Sequence, residues 1–215
     1  MSTPKLIIAN KKYSSWSLRP WLALKVKQID FVEELSNFDH STNHAHFWEF
    51  SPTKKVPVIV FEEQTVWDSL AILETLAERY PDAGLWPADA QRRAHARAIS
   101  AEMHSGFPAL RAQCPMNMAR RPSPVEFSAD TQIDIDRIQT LWKDCLDRYG
   151  GPFLFGEFGI ADAMYAPVVN RFEVYQIATT ASSQRYMDAI GQLPAWRQWQ
   201  TEGQAESWVS EVVDV

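Results

Sequence analysis

Cysteine is scarce in this 215-residue chain, which carries two, Cys114 and Cys145. Two thiols so spaced make neither a disulfide framework, nor a four-thiolate zinc site, nor a CxxC redox pair. Long apolar runs are missing too: none reaches the roughly 18 residues of a membrane-spanning helix. The opening MSTPKLIIANKK has no basic stretch leading into a long apolar core, so no signal peptide is expected and the cytoplasm is the expected compartment. Positive charge is in short supply, with 21 Lys and Arg against 27 Asp and Glu for a net charge of −6. Proteins that grip a phosphate backbone are ordinarily basic, so nucleic acid is not an expected partner, and neither is a membrane. Eight Gly and 13 Pro are too few for a low-complexity chain. The chain has no GxSxG, no HExxH, no phosphate-binding P-loop and no GxGxxG after a strand. Serine hydrolase, zincin and nucleotide-binding readings therefore lack support.

What is present is an ordinary globular composition, 46% hydrophobic and 22% charged, with a surplus of tryptophan at nine residues. The length is about 1.4 times a typical domain of about 150 residues, enough for one large core or two small ones. Residues 5–9 form a short β-branched run that reads as a buried strand. Ser14 to Ser17 offer N-caps for a following helix, in which Pro20 fits a first turn better than the interior. Residues 31–35 read as a second strand and 40–50 as a polar loop with a helical turn. Residues 56–61 read as a strand with Pro57 at its start, joined by Glu62-Glu63 to a hairpin partner at 64–67. Ser69 is the expected N-cap of a helix that turns Ile72, Leu73, Leu76, Ala77 and Tyr80 inward and stops at Pro81. Residues 81–88 read as a linker.

Beyond that linker the pattern is helical throughout: 89–118 with a bend at Pro108, 131–149, 160–178 with Pro167 allowing a kink, 184–190 and 194–202. The expectation is an α/β unit near 1–80 followed by an all-helical unit near 88–215.

Chemistry can reside at four places. Ser14, Ser15 and Ser17 cluster at a helix N-terminus, which is electropositive; they either cap the helix or donate to an anion such as a thiolate. Val56-Pro57 is a candidate cis bond whose backbone could pair with a peptide-like ligand, or a trans proline guarding a sheet edge. Asp68-Ser69 caps a helix, and could also hold the ammonium and carboxylate of an α-amino acid head group. Met103, His104, Phe107 and Arg111, at i, i+1, i+4 and i+8 of one helix, either line a cleft or, for Met103 and Phe107, fill the core. His40, His44 and His46 beside Asp39 have metal-like spacing but lack further ligands, so a solvated loop is the better reading and no metal is expected. Arg92, Arg93 and Arg97 read as a solvated or subunit-interface face.

Taken in order, these motifs resemble the glutathione transferase family along nearly the whole chain. Ser51-Pro52-Thr53-Lys54-Lys55-Val56-Pro57-Val58, then Val66-Trp67-Asp68-Ser69-Leu70-Ala71-Ile72, is similar to the family's proline-started strand and its acidic-Ser pair. Ser14-Ser15-Trp16-Ser17-Leu18-Arg19 resembles the SSCS loop of the serine-dependent zeta class. Phe155-Gly156-Glu157-Phe158-Gly159-Ile160-Ala161-Asp162 resembles the capping motif of the family's second domain.

The resemblance implies a thioredoxin-like glutathione-binding domain at 1–81 and an all-helical domain at 88–215 that carries the second-substrate site. Ser14, with Ser15 as the near alternative, would activate the thiol of glutathione. Lys55, Val56, cis-Pro57, Asp68 and Ser69 would bind the rest of it. Trp16, Met103, His104, Phe107 and Arg111 would face a small apolar electrophile. Glutathione would serve as co-substrate in a cytoplasmic homodimer, a transferase of the detoxification kind. Two other activities stay open: a non-catalytic regulatory protein of the same fold, and a zeta-like cis–trans isomerase with Arg19 and Arg111 as carboxylate holders. Trp16 stands where the zeta loop has cysteine, which counts against the isomerase. Gly159 stands at an N-cap where the family has Ser or Thr.

Overall fold

The computed structural model describes residues 3–208. Strand β1 (Lys5–Ile8) runs into helix α1 (Ser15–Val26) and returns as β2 (Val32–Leu35), parallel to β1. A loop with a 3₁₀ turn at Ala45–Glu49 leads to the antiparallel pair β3 (Val58–Phe61) and β4 (Gln64–Trp67), then to α2 (Ser69–Arg79). The sheet order is β2-β1-β3-β4. Leu6, Ile7 and Ile8 are buried, as an interior strand covered on both faces requires. β2 is an exposed edge, and its Glu34 is paired with Lys5 at 2.8 Å.

Two local expectations change. Pro20 lies inside α1 rather than in its first turn. The helix starts at Ser15 because the Ser14 side chain already caps it, so Pro20 is simply carried along and the Trp16 carbonyl loses its i+4 donor. At α2 the cap is Asp68, not Ser69: its Oδ1 accepts from the N–H groups of Leu70 (2.9 Å) and Ala71 (3.2 Å). Ser69 becomes the first helical residue and its side chain is released from capping.

Six helices follow: α3 (Ala90–Ser105), α4 (Pro108–Gln113), α5 (Ala129–Tyr149), α6 (Ile160–Val174), α7 (Ala181–Gln192) and α8 (Pro194–Ala205). The expected single helix bent at Pro108 is instead broken just before it. A Cβ on Gly106 would stand 2.6 Å from the Glu102 carbonyl oxygen, and Phe107 is left-handed at φ +60°. Pro108 then opens α4, where its missing N–H is no loss.

α6 is buried almost end to end and packs against both α1 and α3. Its start explains Gly159. The Leu85 carbonyl accepts from the Ile160 N–H at 2.9 Å, and a Cβ on Gly159 would lie 2.9 Å from that same oxygen. A backbone carbonyl therefore does the work of a capping side chain, with no room for one. Asp162 completes the cap, accepting from Gly159 N–H at 2.9 Å and Leu154 N–H at 3.0 Å. Residues 81–88 are held down rather than loose: Leu85 is buried and the Trp86 indole donates to Glu74 at 3.0 Å.

The tryptophans divide by depth. Trp142 packs among Tyr165, Phe172 and Tyr186 in the helical core. Trp21 of α1 meets Trp199 of α8 at 5.0 Å, with the Lys11 ammonium 5.0 and 5.5 Å over their rings and ion-paired to Glu33 and Glu202. Trp48 and Trp67 are exposed.

Candidate functional site

The loop between β1 and α1 is tied down from three directions. The Asn10 amide donates to Asn37 at 3.1 Å and its oxygen accepts from Phe38 N–H at 2.8 Å. Glu206, beyond α8, accepts from the Lys11 N–H (2.7 Å) and the Lys12 N–H (3.1 Å). The Met118 N–H donates to the Lys12 carbonyl at 2.9 Å. This anchoring presents Ser14 at the α1 N-terminus. Its hydroxyl oxygen accepts from Ser17 N–H at 3.3 Å, and its O–H donates to Ser17 Oγ at 2.7 Å. Ser17 Oγ in turn accepts from Ala9 N–H at 3.2 Å.

Ser14 opens onto a cavity of about 560 Å³. Trp16, Lys55, Val56, Pro57, Asp68, Ser69 and His104 stand around the same space. Eight of the twelve residues assigned from the sequence to the glutathione and second-substrate sites thus converge, from the N-termini of two helices, the start of β3 and the last turn of α3. The Val56–Pro57 bond is cis. Ser51, buried beneath, donates to the Lys55 carbonyl at 2.7 Å and accepts from the Lys55 N–H at 3.1 Å, which fixes the approach to Val56. Ser69 Oγ is buried without a hydrogen-bond partner. Asp68 holds φ +73°, an uncommon region for a residue other than glycine.

The other four of those twelve lie elsewhere. Ser15 is buried in the first turn of α1 and does not line the cavity. Met103 and Phe107 belong to the hydrophobic core. The helix break at Gly106 removes the shared face on which Phe107 and Arg111 were placed. Arg111 turns back instead, donating from Nε to the Gly106 carbonyl at 2.9 Å and from Nη2 to the Met103 carbonyl. Its guanidinium lies 5.0 Å from the Trp16 ring centroid.

Arg19 is fully buried, 4.2 Å from the Trp16 ring, and all three of its guanidinium nitrogens lack a partner. Burial pushes its pKa down, and Arg111 and Arg171 push the same way, with Asp68 opposing them.

Phe38, His44, Phe47, Thr53, Lys54 and Trp67 also line the cavity. Of these, the sequence marked only Trp67 as lying beside the site. For the rest the one hint was the run of aromatic and imidazole rings at 38–47. Those rings pack on each other: His40 and His44 are 4.9 Å apart, and Phe38 lies 5.2 Å from His44. His44 Nδ1 accepts from Asp39 N–H at 2.9 Å, and burial lowers its pKa, with His40 adding to the effect. Ser41 and Thr42 hydroxyls hold the Asp39 carboxyl down at about 2. Among the described residues no group of three or more His, Cys, Asp or Glu side chains is gathered for a metal.

Burial pushes the Cys114 thiol up to about 11 and that of Cys145 to about 12. Neither lines the cavity. Thiol chemistry at this cavity therefore needs a thiol that arrives with the ligand.

Comparison with known proteins finds matches along most of the chain. The model of the glutathione S-transferase N-terminal domain matches residues 13–79, and that of the C-terminal domain matches residues 63–199. A probable maleylacetoacetate isomerase of Caenorhabditis elegans is 28% identical over 200 residues, covering 91% of this chain and 93% of that protein. A zeta-class glutathione S-transferase of Euphorbia esula is 27% identical over 211 residues, covering 95% and 93%. Among solved structures, a Burkholderia glutathione transferase homologue with bound glutathione superposes with a TM-score of 0.73 at 23% identity, over 95% of this chain and 100% of that one.

Proposed function

Since the chain belongs to the glutathione S-transferase family, we propose that the Ser14 cavity binds glutathione and adds its sulfur to a small electrophile. The observation that carries this reading is the pair of helix N-termini, α1 at Ser14 and α2 at Asp68-Ser69, opening on one cavity beside the cis Val56–Pro57 backbone. Each has a counterpart on a γ-glutamyl peptide. The Asp68 carboxylate takes the ammonium, and the unpartnered Ser69 hydroxyl takes the carboxylate. Val56 pairs its backbone with the cysteinyl unit, and Lys55 faces the glycyl end. The sulfur then falls at Ser14.

A free thiol titrates near pH 8.5, so little of it is thiolate at neutral pH. A hydroxyl donor at an electropositive helix N-terminus favours the anion, and the proton leaves to solvent. The thiolate forms a C–S bond at the electrophilic carbon while a leaving group departs with its electron pair. With an activated alkene, the resulting carbanion takes up a proton instead. We place the protein in the cytoplasm as a homodimer that clears electrophiles. Calorimetry with glutathione tests the reading. Binding at millimolar concentration or tighter is expected, and no heat at that concentration overturns it.

One observation favours a second reaction at the same site. Arg19 has no hydrogen-bond partner behind Trp16, and Arg111 lies against the same ring. A substrate carboxylate lying over Trp16 would sit near both guanidinium groups, neither of which lines the cavity itself, and curated relatives are named maleylacetoacetate isomerase. In that reaction the thiolate adds to a conjugated cis alkene, the new single bond rotates, and elimination returns glutathione and the trans alkene. Isomerisation of a cis-enone dicarboxylate without consumption of glutathione would support it, and net thioether formation alone would reject it. A protein that turns over neither class of substrate yet holds a stable protein partner would instead be a regulatory member of the fold.

A further inference from the structure

Resting on the glutathione site just proposed, we infer that His104 is a positioning residue for the γ-glutamyl ammonium, holding the Asp68 carboxylate from across the seam between the two units. His104 sits in the last turn of α3, and its Nε2 is 3.1 Å from Asp68 Oδ2. The other carboxylate oxygen, Oδ1, is committed to the Leu70 and Ala71 N–H groups. Both oxygens are therefore held and the plane of the carboxylate is set. Oδ2 keeps acceptor capacity for a second donor, since a carboxylate oxygen accepts more than one hydrogen bond. Asp68 and His104 both line the cavity, so that second donor comes from a ligand.

The imidazole is itself held. Arg111 donates to the Met103 and Gly106 carbonyls and so clamps the turn that carries it. The Trp16 ring meets the imidazole edge-on at 5.3 Å.

The protonation state follows from the same contacts. His104 Nδ1 is buried and has no partner, so the neutral ring carries its proton on Nε2, facing Asp68. A second proton would bury an N–H with no acceptor. Burial lowers the pKa of His104 most, Asp68 raises it, and Arg19 of α1 and Arg111 of α4 lower it further. At neutral pH the ring is an uncharged donor that orients Asp68. In acid it becomes a cation that neutralises Asp68 and repels the incoming ammonium. Glutathione affinity therefore falls as pH drops below the ordinary histidine range.

The test measures glutathione binding by calorimetry from pH 7.5 to 5 for wild type, His104→Leu, His104→Gln and His44→Gln. His44 is the other imidazole on the cavity wall and serves as the control. His104→Leu is expected to weaken binding at pH 7.5 about tenfold, the low end for a hydrogen bond to a charged group, with kcat at saturating glutathione changed less than about threefold. His104→Gln keeps an N–H donor, so binding at pH 7.5 recovers to within about threefold of wild type while the loss in acid disappears. His44→Gln keeps the loss in acid. A folded His104→Leu protein that binds as tightly as wild type overturns the inference, as does a His104→Gln protein with the wild-type acid loss. Should His104→Leu fail to fold, the pH profile of His104→Gln decides alone. If wild type itself binds no glutathione, the proposed function fails first and this inference with it.

Discussion

Ser14→Ala removes one oxygen atom and should have two separable effects. The first is structural. Ser14 Oγ accepts from Ser17 N–H at a long 3.3 Å and donates to Ser17 Oγ at 2.7 Å. Ser17 Oγ keeps its bond from Ala9 N–H in the variant, so the loss is that of a helix cap, about 1 kcal/mol, or a Tm lower by roughly 2–4 °C for a chain of this size. The second effect is on the thiol. A hydroxyl that donates to a thiolate makes a charge-assisted bond of about 1.5–3 kcal/mol, which lowers the thiol pKa by about 1 to 2 pH units. For Ser14 to donate to sulfur its O–H must leave Ser17, and at 2.7 Å the Ser17 hydroxyl can turn and donate to Ser14 in its place. The pair thus stays intact while the proton direction reverses.

The assay is the pH–rate profile for conjugation of an activated aryl halide, together with the ultraviolet absorbance of bound thiolate. At pH 6.5 Ser14→Ala should be slower by about 10- to 100-fold, and the two profiles should converge above about pH 9, where the thiol ionises unaided. A folded variant whose bound thiol titrates where the wild-type thiol does would refute the reasoning. So would a rate loss of the same size at every pH, which would mean that Ser14 positions glutathione without ionising it. Ser15→Ala should leave the profile in place, because Ser15 does not line the cavity.

Other positions give independent checks. Gly159→Ala forces the Leu85 carbonyl away from the Ile160 N–H and should destabilise by about 2 kcal/mol, a Tm lower by about 4–8 °C in calorimetry. Burial raises the Asp162 carboxyl to about 6, so the native state binds its proton more tightly than the unfolded chain. Its ionisation removes up to about 3 kcal/mol of stability as pH rises from about 4 to 6; wild type should therefore gain stability relative to Asp162→Asn, read by urea denaturation, as pH falls through that window. Glu206→Ala frees the Lys11 and Lys12 N–H groups, and native-state hydrogen exchange at those two amides should quicken by about tenfold or more while α6 amides are unaffected.

Much of this protein was legible because the signals are local. A βαβ run followed by a hairpin and a helix, Pro57 at a strand start, and Gly150 after a long amphipathic helix each need only a few neighbouring residues to act. The partial cap from Asp162 was legible for the same reason, since its partner is three residues away. Departures from the periodic pattern lie at helix ends, where backbone conformation and contacts decide. The helix through residue 107 looked continuous by periodicity, yet Gly106 closes to where a Cβ would strike Glu102. Asp68, one residue before Ser69, caps the helix through Oδ1 while its Oδ2 meets His104, 36 positions along the chain.

By itself, then, the sequence determined most of the elements and their order, because turn formation and hydrophobic period are short-range forces. It also determined that any thiol at the cavity arrives with a ligand, since neither of its two cysteines falls near the helix starts. Only the tertiary structure decided which groups share the cavity. The packing of α6 against both α1 and α3 sets where the last turn of α3 meets the start of α2. That contact brings His104 to Asp68, sends Met103 and Phe107 into the core, and leaves the Arg19 guanidinium buried without a hydrogen-bond partner. Burial and charge pairing between distant segments depend on how helices cross, and no window of neighbouring residues carries that angle.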